Sequence, residues 1–368
     1  MAKKQVDKAP ADKVKTTKLN RTRKAALPEK LTMIKQPNRV TMMRYDFTTY
    51  QSRIFYAVIF HLQIHIEAVI KGADVEQLPL FKEADKDKIR LVIPIKEFGV
   101  QAKDYEQLKS AMLDVATIPV QLDTTDPITG AAAWVIQGLF RAYIPQEKYQ
   151  RNVTIEIDKL VAQNLINSRI GGFTKFAYEI AISATNKFTP RIYVFISSWK
   201  DQGGVTISLD KFRQMLALED KYPNFRNLMA RVIEPARNEL HEKADVWFEL
   251  DTILKGKKVD KLVFKIIKAS EIRQLHIQRE NMKNQILYWC VDRFNFKESN
   301  KKQLLALITN DNIQAIYYKI VELNEYIIVQ NRAKEIRSLP EYILRAINKM
   351  LADRVANGVE PEDAQVVQ

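Results

Sequence analysis

The feature that most constrains this chain is a succession of elements that occurs twice. From residue 190 to 267, an apolar helical run (Arg191-Ile-Tyr-Val-Phe-Ile-Ser-Ser-Trp199) precedes a short strand, Val205-Thr-Ile-Ser-Leu209. A helix, Asp210-Lys-Phe-Arg-Gln-Met-Leu216, a turn, and a longer helix from Pro223 to His241 follow. Two strands, Asp245–Leu250 and Lys261–Ile266, then close the unit around the basic turn Lys255-Gly-Lys-Lys258. A helix–turn–helix completed by a hairpin is the layout of a winged helix, whose second helix suits a DNA major groove and whose hairpin suits the backbone.

A weaker copy occupies residues 48 to 140. Arg53-Ile-Phe55 parallels Arg191-Ile-Tyr193, and Val92–Phe98 parallels Thr206–Phe212. Tyr105–Leu113 parallels Phe225–Ile233, and the strands Ile118–Asp123 and Ala133–Gln137 stand where the second hairpin stands. The apolar stripes of the two first helices are offset by about one residue, so the repeat is one of architecture. These elements predict an α+β fold of two tandem winged-helix domains.

The formal charge is +14 with a pI near 9.5, which favours an acidic partner such as nucleic acid. The charge is uneven: residues 1–40 hold 12 Lys or Arg against 3 acids, leaving only about +5 for the rest of the chain. The boundaries read as a basic disordered tail (1–38), a first winged helix (39–157) and a second (158–269). A mostly helical extension (270–356) and a polar, frayed end (357–368) complete the chain. The segments 159–167 and 173–185 read as helical, after a strand at Asn152–Ile157. Asn310-Asp-Asn312 can cap one helix of the extension, and Ser338-Leu-Pro-Glu341 has capping-box spacing for another.

The single cysteine, Cys290, sits in the apolar run Ile286–Val291, as a buried and inert thiol would. One cysteine excludes an intramolecular disulfide and fits a reducing compartment. No apolar run reaches membrane-spanning length, and the basic N-terminus lacks a secretory apolar core. A soluble, cytoplasmic protein without membrane contact is expected.

On the helix from Pro223 to His241, the residues Phe225, Leu228, Met229, Val232, Ile233, Ala236 and Leu240 form a core stripe. Its other face carries Asn224, Arg226, Asn227 and Arg231, preceded by Lys221 and Tyr222. Arginine can grip guanine O6 and N7 together and asparagine can do likewise with adenine, so these types suit base readout. An exposed row of this kind can also simply solvate a helix. Pro235 should kink the helix, because proline cannot donate to the preceding turn. Lys255, Lys257 and Lys258 suit phosphates rather than bases. In the first copy, Lys103, Gln107 and Lys109 are the equivalent candidates, but Asp104 and Glu106 would repel phosphate.

Thr189-Pro-Arg-Ile-Tyr193, Ile207-Ser-Leu-Asp-Lys-Phe212, Asp220-Lys-Tyr222, Phe225 and Val232-Ile-Glu-Pro-Ala-Arg-Asn-Glu-Leu240 together resemble the initiator replication (Rep) proteins of iteron-containing plasmids. The resemblance covers roughly residues 40–267 and is strongest from Phe173 to Ile267. It implies two winged helices that bind direct repeats of double-stranded origin DNA, and a homodimer in equilibrium with monomer that represses its own gene. It also implies recruitment of host replication proteins, a helicase or its loader, and melting of a neighbouring AT-rich segment. By position, Lys221, Tyr222, Asn224, Arg226, Asn227 and Arg231 would enter a major groove, and the first domain would hold the dimer contacts. The Lys-rich tail and the residues after Ser270 lie outside the shared core. In the extension, Leu339–Ile347 loosely resembles a Pro-x-Tyr-Leu helix found at the ends of other plasmid replication proteins.

No phosphate-cradling Gly-x-x-x-x-Gly-Lys-Ser/Thr loop occurs, and Lys255-Gly-Lys-Lys258 lacks its second glycine and hydroxyl. His61 and His65, at i and i+4 with Glu67 nearby, have no third ligand in view for a metal. A nicking enzyme would need clustered histidines beside a tyrosine nucleophile. The reading is therefore a protein without catalysis, cofactor or metal. The rival is a tandem winged-helix transcription repressor, which would bind one inverted repeat where an initiator binds several direct ones.

Overall fold

The computed structural model describes residues 15–17, 31–82, 88–99, 104–126, 128–146, 151–169, 171–330 and 332–357. The chain divides into two compact units, residues 1–268 and 269–368. Most of the expected tail, and the end beyond residue 357, lie outside the described residues.

The chain is ordered in strands before residue 39, where the sequence placed the start of the first domain. Strand β1 (Lys15–Thr17) joins the second winged helix. Strand β2 (Met33–Pro37) pairs antiparallel with the residues Phe173–Ala177 and buries Ile34 and Gln36. Periodicity hid this strand because one of those two inward residues is polar. Gln36 Nε2 donates to Thr41 Oγ1 at 2.9 Å, and Thr41 Oγ1 donates to Thr174 Oγ1 at 2.8 Å, so the buried amide nitrogen is paired, while Gln36 Oε1 has no partner among the described residues.

After α1 (Asn38–Met42) comes the apolar helix α2 (Thr49–His61). It begins at a reciprocal capping box: Gln51 N–H donates to Thr48 Oγ1, and Thr48 N–H donates to Gln51 Oε1. Between α2 and α3 (Gln63–Ile70) the axis bends by 56°. Gln63 Nε2 donates to the Ile59 and Lys35 carbonyls, inserting a side chain at the break. No single described helix is long and apolar enough to cross a membrane. The bent pair passes by length and composition alone, but Ile54, Phe55, Val58, Ile59, Leu62, Ile66 and Val69 are core residues.

The first copy continues through α4 (Pro79–Lys82), β3 (Lys88–Pro94), a 3-10 turn at Ile95–Phe98, and α5 (Tyr105–Ala116). The hairpin β4 (Pro119–Thr125) and β5 (Ala132–Gly138) pairs only with itself among the described residues. Strand β3 pairs instead with β7 (Asn152–Asp158), whose other edge holds β6 (Arg141–Tyr143). Helix α6 (Lys159–Ile166) follows. The segment 173–185, read as helical, is in fact strand β8 (Phe173–Ala177) and a short α7 (Tyr178–Ser183). Pairing with β2 outweighs the local pattern there.

The second copy comprises α8 (Thr189–Ser197), β9 (Gly204–Ser208), α9 (Leu209–Met215), α10 (Phe225–Leu228) and α11 (Glu234–Lys243). The hairpin β10 (Val246–Lys255) and β11 (Lys258–Lys268) runs longer than the sequence suggested. Its sheet has the order β1-β10-β11-β9. Glycine is required at Gly204, where an added Cβ would lie 2.4 Å from the Phe264 carbonyl oxygen. Phe195, Phe212, Phe248 and Phe264 form the aromatic centre of this core.

The second unit is a helical bundle: α12 (Ala269–Asp292), α13 (Glu298–Leu307), α14 (Ile313–Asn324) and α15 (Leu339–Ala356). Ile286, Cys290, Phe294, Leu304, Ile316, Ile320, Ile343 and Ile347 lie in its core. Burial pushes the Cys290 thiol up to about 12, which keeps it protonated and unreactive. The capping expectations fail in detail. Ser338 makes no side-chain cap, and Asn312 instead accepts from Thr309 N–H and donates to the Leu307 carbonyl.

Candidate nucleic-acid interface

The helix expected from Pro223 to His241, with a kink at Pro235, is assembled from three pieces. Asn224 caps α10, its Oδ1 accepting the Arg226 N–H at 2.9 Å. Met229–Ile233 is a π-helical segment, in which the Glu234 N–H reaches back to the Met229 carbonyl. Pro235 lies within the first turn of α11, immediately beyond. Proline cannot donate, and its ring crowds the carbonyl four residues earlier, so the wide turn beside it relieves a conflict that would otherwise kink the helix.

The inserted π turn also shifts which residues face inward. Leu228, Val232, Ile233, Ala236 and Leu240 are buried as expected, but Arg237 and His241 are buried too, while Phe225 and Met229 remain partly exposed. The opposite face presents Arg226, Asn227 and Arg231 to solvent. Their side chains make no hydrogen bond or ion pair among the described residues.

The turn ahead of α10 is held by a residue that sequence reasoning missed. Arg213 of α9 is only 8 % exposed. It donates to the carbonyls of Leu218, Lys221, Tyr222 and Pro223 at 3.4, 2.8, 2.7 and 3.3 Å. That fork fixes Tyr222 at φ +53°, a left-handed conformation that a bulky residue adopts only when its surroundings impose it. A charge in the middle of an amphipathic helix reads as a surface residue, so nothing in the sequence singled it out.

Lys221, expected among the DNA contacts, is engaged within the chain. Its Nζ lies 2.9 Å from Asp46 Oδ2, while Lys187 Nζ lies 2.6 Å from Asp46 Oδ1. Partial burial works against the Asp46 carboxylate, but hydrogen bonds from Lys187 and Lys221 hold it below its ordinary value. Hydrogen bonding to Asp46 correspondingly raises Lys221. Arg44 and Glu219 pair beside them at 2.7 Å.

At the hairpin tip, Lys255 and Lys258 face each other across a two-residue turn of Gly256 and Lys257. Gly256 has φ +66°, as the first central position of a tight hairpin turn demands. Lys255, Lys257 and Lys258 are all exposed.

The first copy presents a different face. Its helix α5 buries Leu108, Ala111, Met112 and Val115. Gln107 and Lys109 are exposed, with Lys109 Nζ 4.0 Å from Glu106, and Lys103 lies outside the described residues. Leu113, Trp134 and Ile136 are 66 %, 71 % and 68 % exposed. His61 Nε2 lies 2.6 Å from Glu97 Oε2, tying α2 to the 3-10 turn. The break at Leu62 separates His61 from His65, and no group of three or more metal-ligating side chains occurs among the described residues.

The Arg-x-Tyr pattern in α8 is structural. Tyr193 Oη donates to Asp245 Oδ1 at 2.6 Å and accepts the Ala177 N–H at 2.9 Å. Arg191 donates to the Val40 and Met43 carbonyls and stacks 4.0 Å over Tyr45.

A helix–turn–helix closed by a hairpin, present twice in one basic chain, defines a tandem winged-helix protein of the DNA-binding class. Residues 33–197 match the family described as "Initiator Replication protein, WH1", and residues 208–266 match "Initiator Rep protein, WH2". The chain belongs to this family of plasmid initiator replication proteins. It is also similar to a "Replication initiation protein" of Escherichia coli, 24 % identical over 255 residues, covering 68 % of this chain and 73 % of the relative. The WH1 match extends through α8, beyond the boundary at residue 157 read from the sequence.

Proposed function

We propose that this protein initiates plasmid replication by reading direct origin repeats with its second winged helix. The observation that carries the reading is the solvent-facing row Arg226, Asn227 and Arg231, without partners among the described residues, on a helix whose other face is core. Unpaired guanidinium and amide groups on a rigid helix have the chemistry for base edges. The row's neighbours Tyr222 and Asn224 sit in the turn that Arg213 holds. Lys255, Lys257 and Lys258 on the adjacent hairpin take phosphates. Lys221 contributes only when DNA phosphate displaces Asp46.

The first winged helix serves chiefly as the dimer surface. A two-stranded hairpin is marginal alone, and Trp134 and Ile136 on its uncovered strand favour burial against another chain. Gln107, Lys109 and Lys103 add backbone contacts rather than readout. Bound arrays then ease melting of adjacent DNA and bring host helicase or its loader to the origin, while the dimer represses the initiator's own gene.

A footprint of the purified protein on the DNA flanking its own gene tests this. Periodic protection of several direct repeats that survives competitor DNA is the expected result. Protection of one inverted repeat alone would transfer the chain to the repressor class.

A further inference from the structure

Asp46 holds two cations at once. Its Oδ1 lies 2.6 Å from Lys187 Nζ and its Oδ2 lies 2.9 Å from Lys221 Nζ, so each carboxylate oxygen has its own ammonium. The three residues come from distant parts of the chain: the segment between α1 and α2, the residues just before α8, and the turn before α10. All keep contact with solvent, the side chains of Lys187, Asp46 and Lys221 being 37 %, 32 % and 54 % exposed. Beside them, Glu219 is already engaged by Arg44 at 2.7 Å and does not compete for either lysine.

Ammoniums set to hold the paired oxygens of a carboxylate are also suited to the non-bridging oxygens of a phosphate diester. The location fits that ligand. Lys221 stands just before Asn224, the cap of the helix that carries Arg226, Asn227 and Arg231. A turn that leads into a helix lying in a major groove meets the phosphates at the groove wall. Lys187 shares the same carboxylate and so lies beside that turn.

We propose that Lys187 and Lys221 form a DNA-phosphate site that Asp46 fills as a surrogate, and that Asp46 determines specificity by yielding the site only to a seated repeat. This rests on the reading that the second winged helix binds direct repeats. A partly exposed ion pair is weak, so a phosphate held in place by neighbouring base contacts displaces the carboxylate. On unrelated DNA no base contact holds a phosphate there, whereas Asp46 is tethered and its effective concentration stays high. The two lysines thus add backbone attraction to the repeat and withhold it from other sequences.

The test measures affinity over a salt series for the full chain and for Asp46→Asn, Lys187→Ala and Lys221→Ala, each on a repeat and on an unrelated duplex. On the repeat, each lysine variant is expected to flatten the slope of log affinity against log salt by about 0.9, the share of one phosphate. On the unrelated duplex the flattening should be smaller. Asp46→Asn is expected to steepen the slope on the unrelated duplex more than on the repeat, and to lower the ratio of repeat to unrelated affinity several-fold. Adding Lys187→Ala to Asp46→Asn should return the unrelated slope toward wild type. Equal steepening on both duplexes by Asp46→Asn would mean that the carboxylate only repels DNA, and would overturn the surrogate. An unchanged repeat slope in either lysine variant would overturn the phosphate site. Failure of the full chain to prefer repeats over unrelated DNA would instead strike at the second winged helix as the reader.

Discussion

The two winged helices share a layout and differ in what their hairpins touch. In the second, the hairpin is the middle of a four-stranded sheet, flanked by β9 and β1. In the first, β4 and β5 pair only with each other among the described residues, and β3 turns away to β7. The helices differ in parallel: α5 exposes Leu113 and sets Glu106 beside Lys109, whereas α10 and its π turn expose Arg226, Asn227 and Arg231. One scaffold can serve a polar reading face or an apolar docking face, depending on a few side chains that the core does not constrain.

The largest effect that sharpens this contrast is expected at Arg213. Arg213→Ala strands four carbonyls of the turn before α10, and should cost about 3 kcal/mol or more in denaturant unfolding while also abolishing repeat binding. Arg213→Lys should restore only part of it, since an ammonium cannot fork. At the first hairpin, Trp134→Glu is expected to weaken self-association by about 2 kcal/mol or more in sedimentation equilibrium, with monomer binding to a single repeat preserved. Loss of repeat binding by that variant would break the division of labour.

Arg226→Ala or Arg231→Ala should cost roughly 1–3 kcal/mol on the cognate repeat, measured by competition titration. Lys257→Ala should weaken all duplexes equally and flatten the salt slope by about 0.9. The smallest effect concerns acidity. Asp46 is held below its ordinary value by Lys187 and Lys221, so its pairing stabilises the fold above the unfolded carboxylate value and is lost as pH falls through the lower folded one. Because the pair is largely solvated, the effect is under about 1 kcal/mol, seen as a small stability advantage of wild type over Asp46→Asn above about pH 4 that fades as the pH falls below it. At neutral pH the same variant frees Lys221 and should steepen the salt slope.

The sequence carried the order of elements because helical and alternating apolar patterns survive translation into buried faces: Phe212, Val232, Phe248 and Phe264 are all core. It did not carry β2, whose inward Gln36 is polar, nor β8, whose strand state comes from pairing with β2. It placed Pro235 correctly as a disturbance but could not say that a π turn would absorb it, which brings Arg237 and His241 inside. The row of reading candidates was legible because exposed helix positions follow from the core stripe. Lys221's pairing with Asp46 and Arg213's hold on the turn were not, since each depends on groups brought together only by the fold. The strand Lys15–Thr17 was invisible for the same reason: an edge-pairing segment needs no apolar pattern of its own.

The central claim is that bases are read by the second winged helix and not by the first. Its most direct test measures the affinities of wild type, Arg226→Ala, Arg231→Ala and Gln107→Ala for a repeat in which every base pair is replaced in turn. The account predicts that each arginine variant loses discrimination at one position or a few adjacent ones, and that Gln107→Ala keeps the wild-type profile. Equal losses on every sequence for both arginine variants, or a relaxed position in Gln107→Ala, would contradict it.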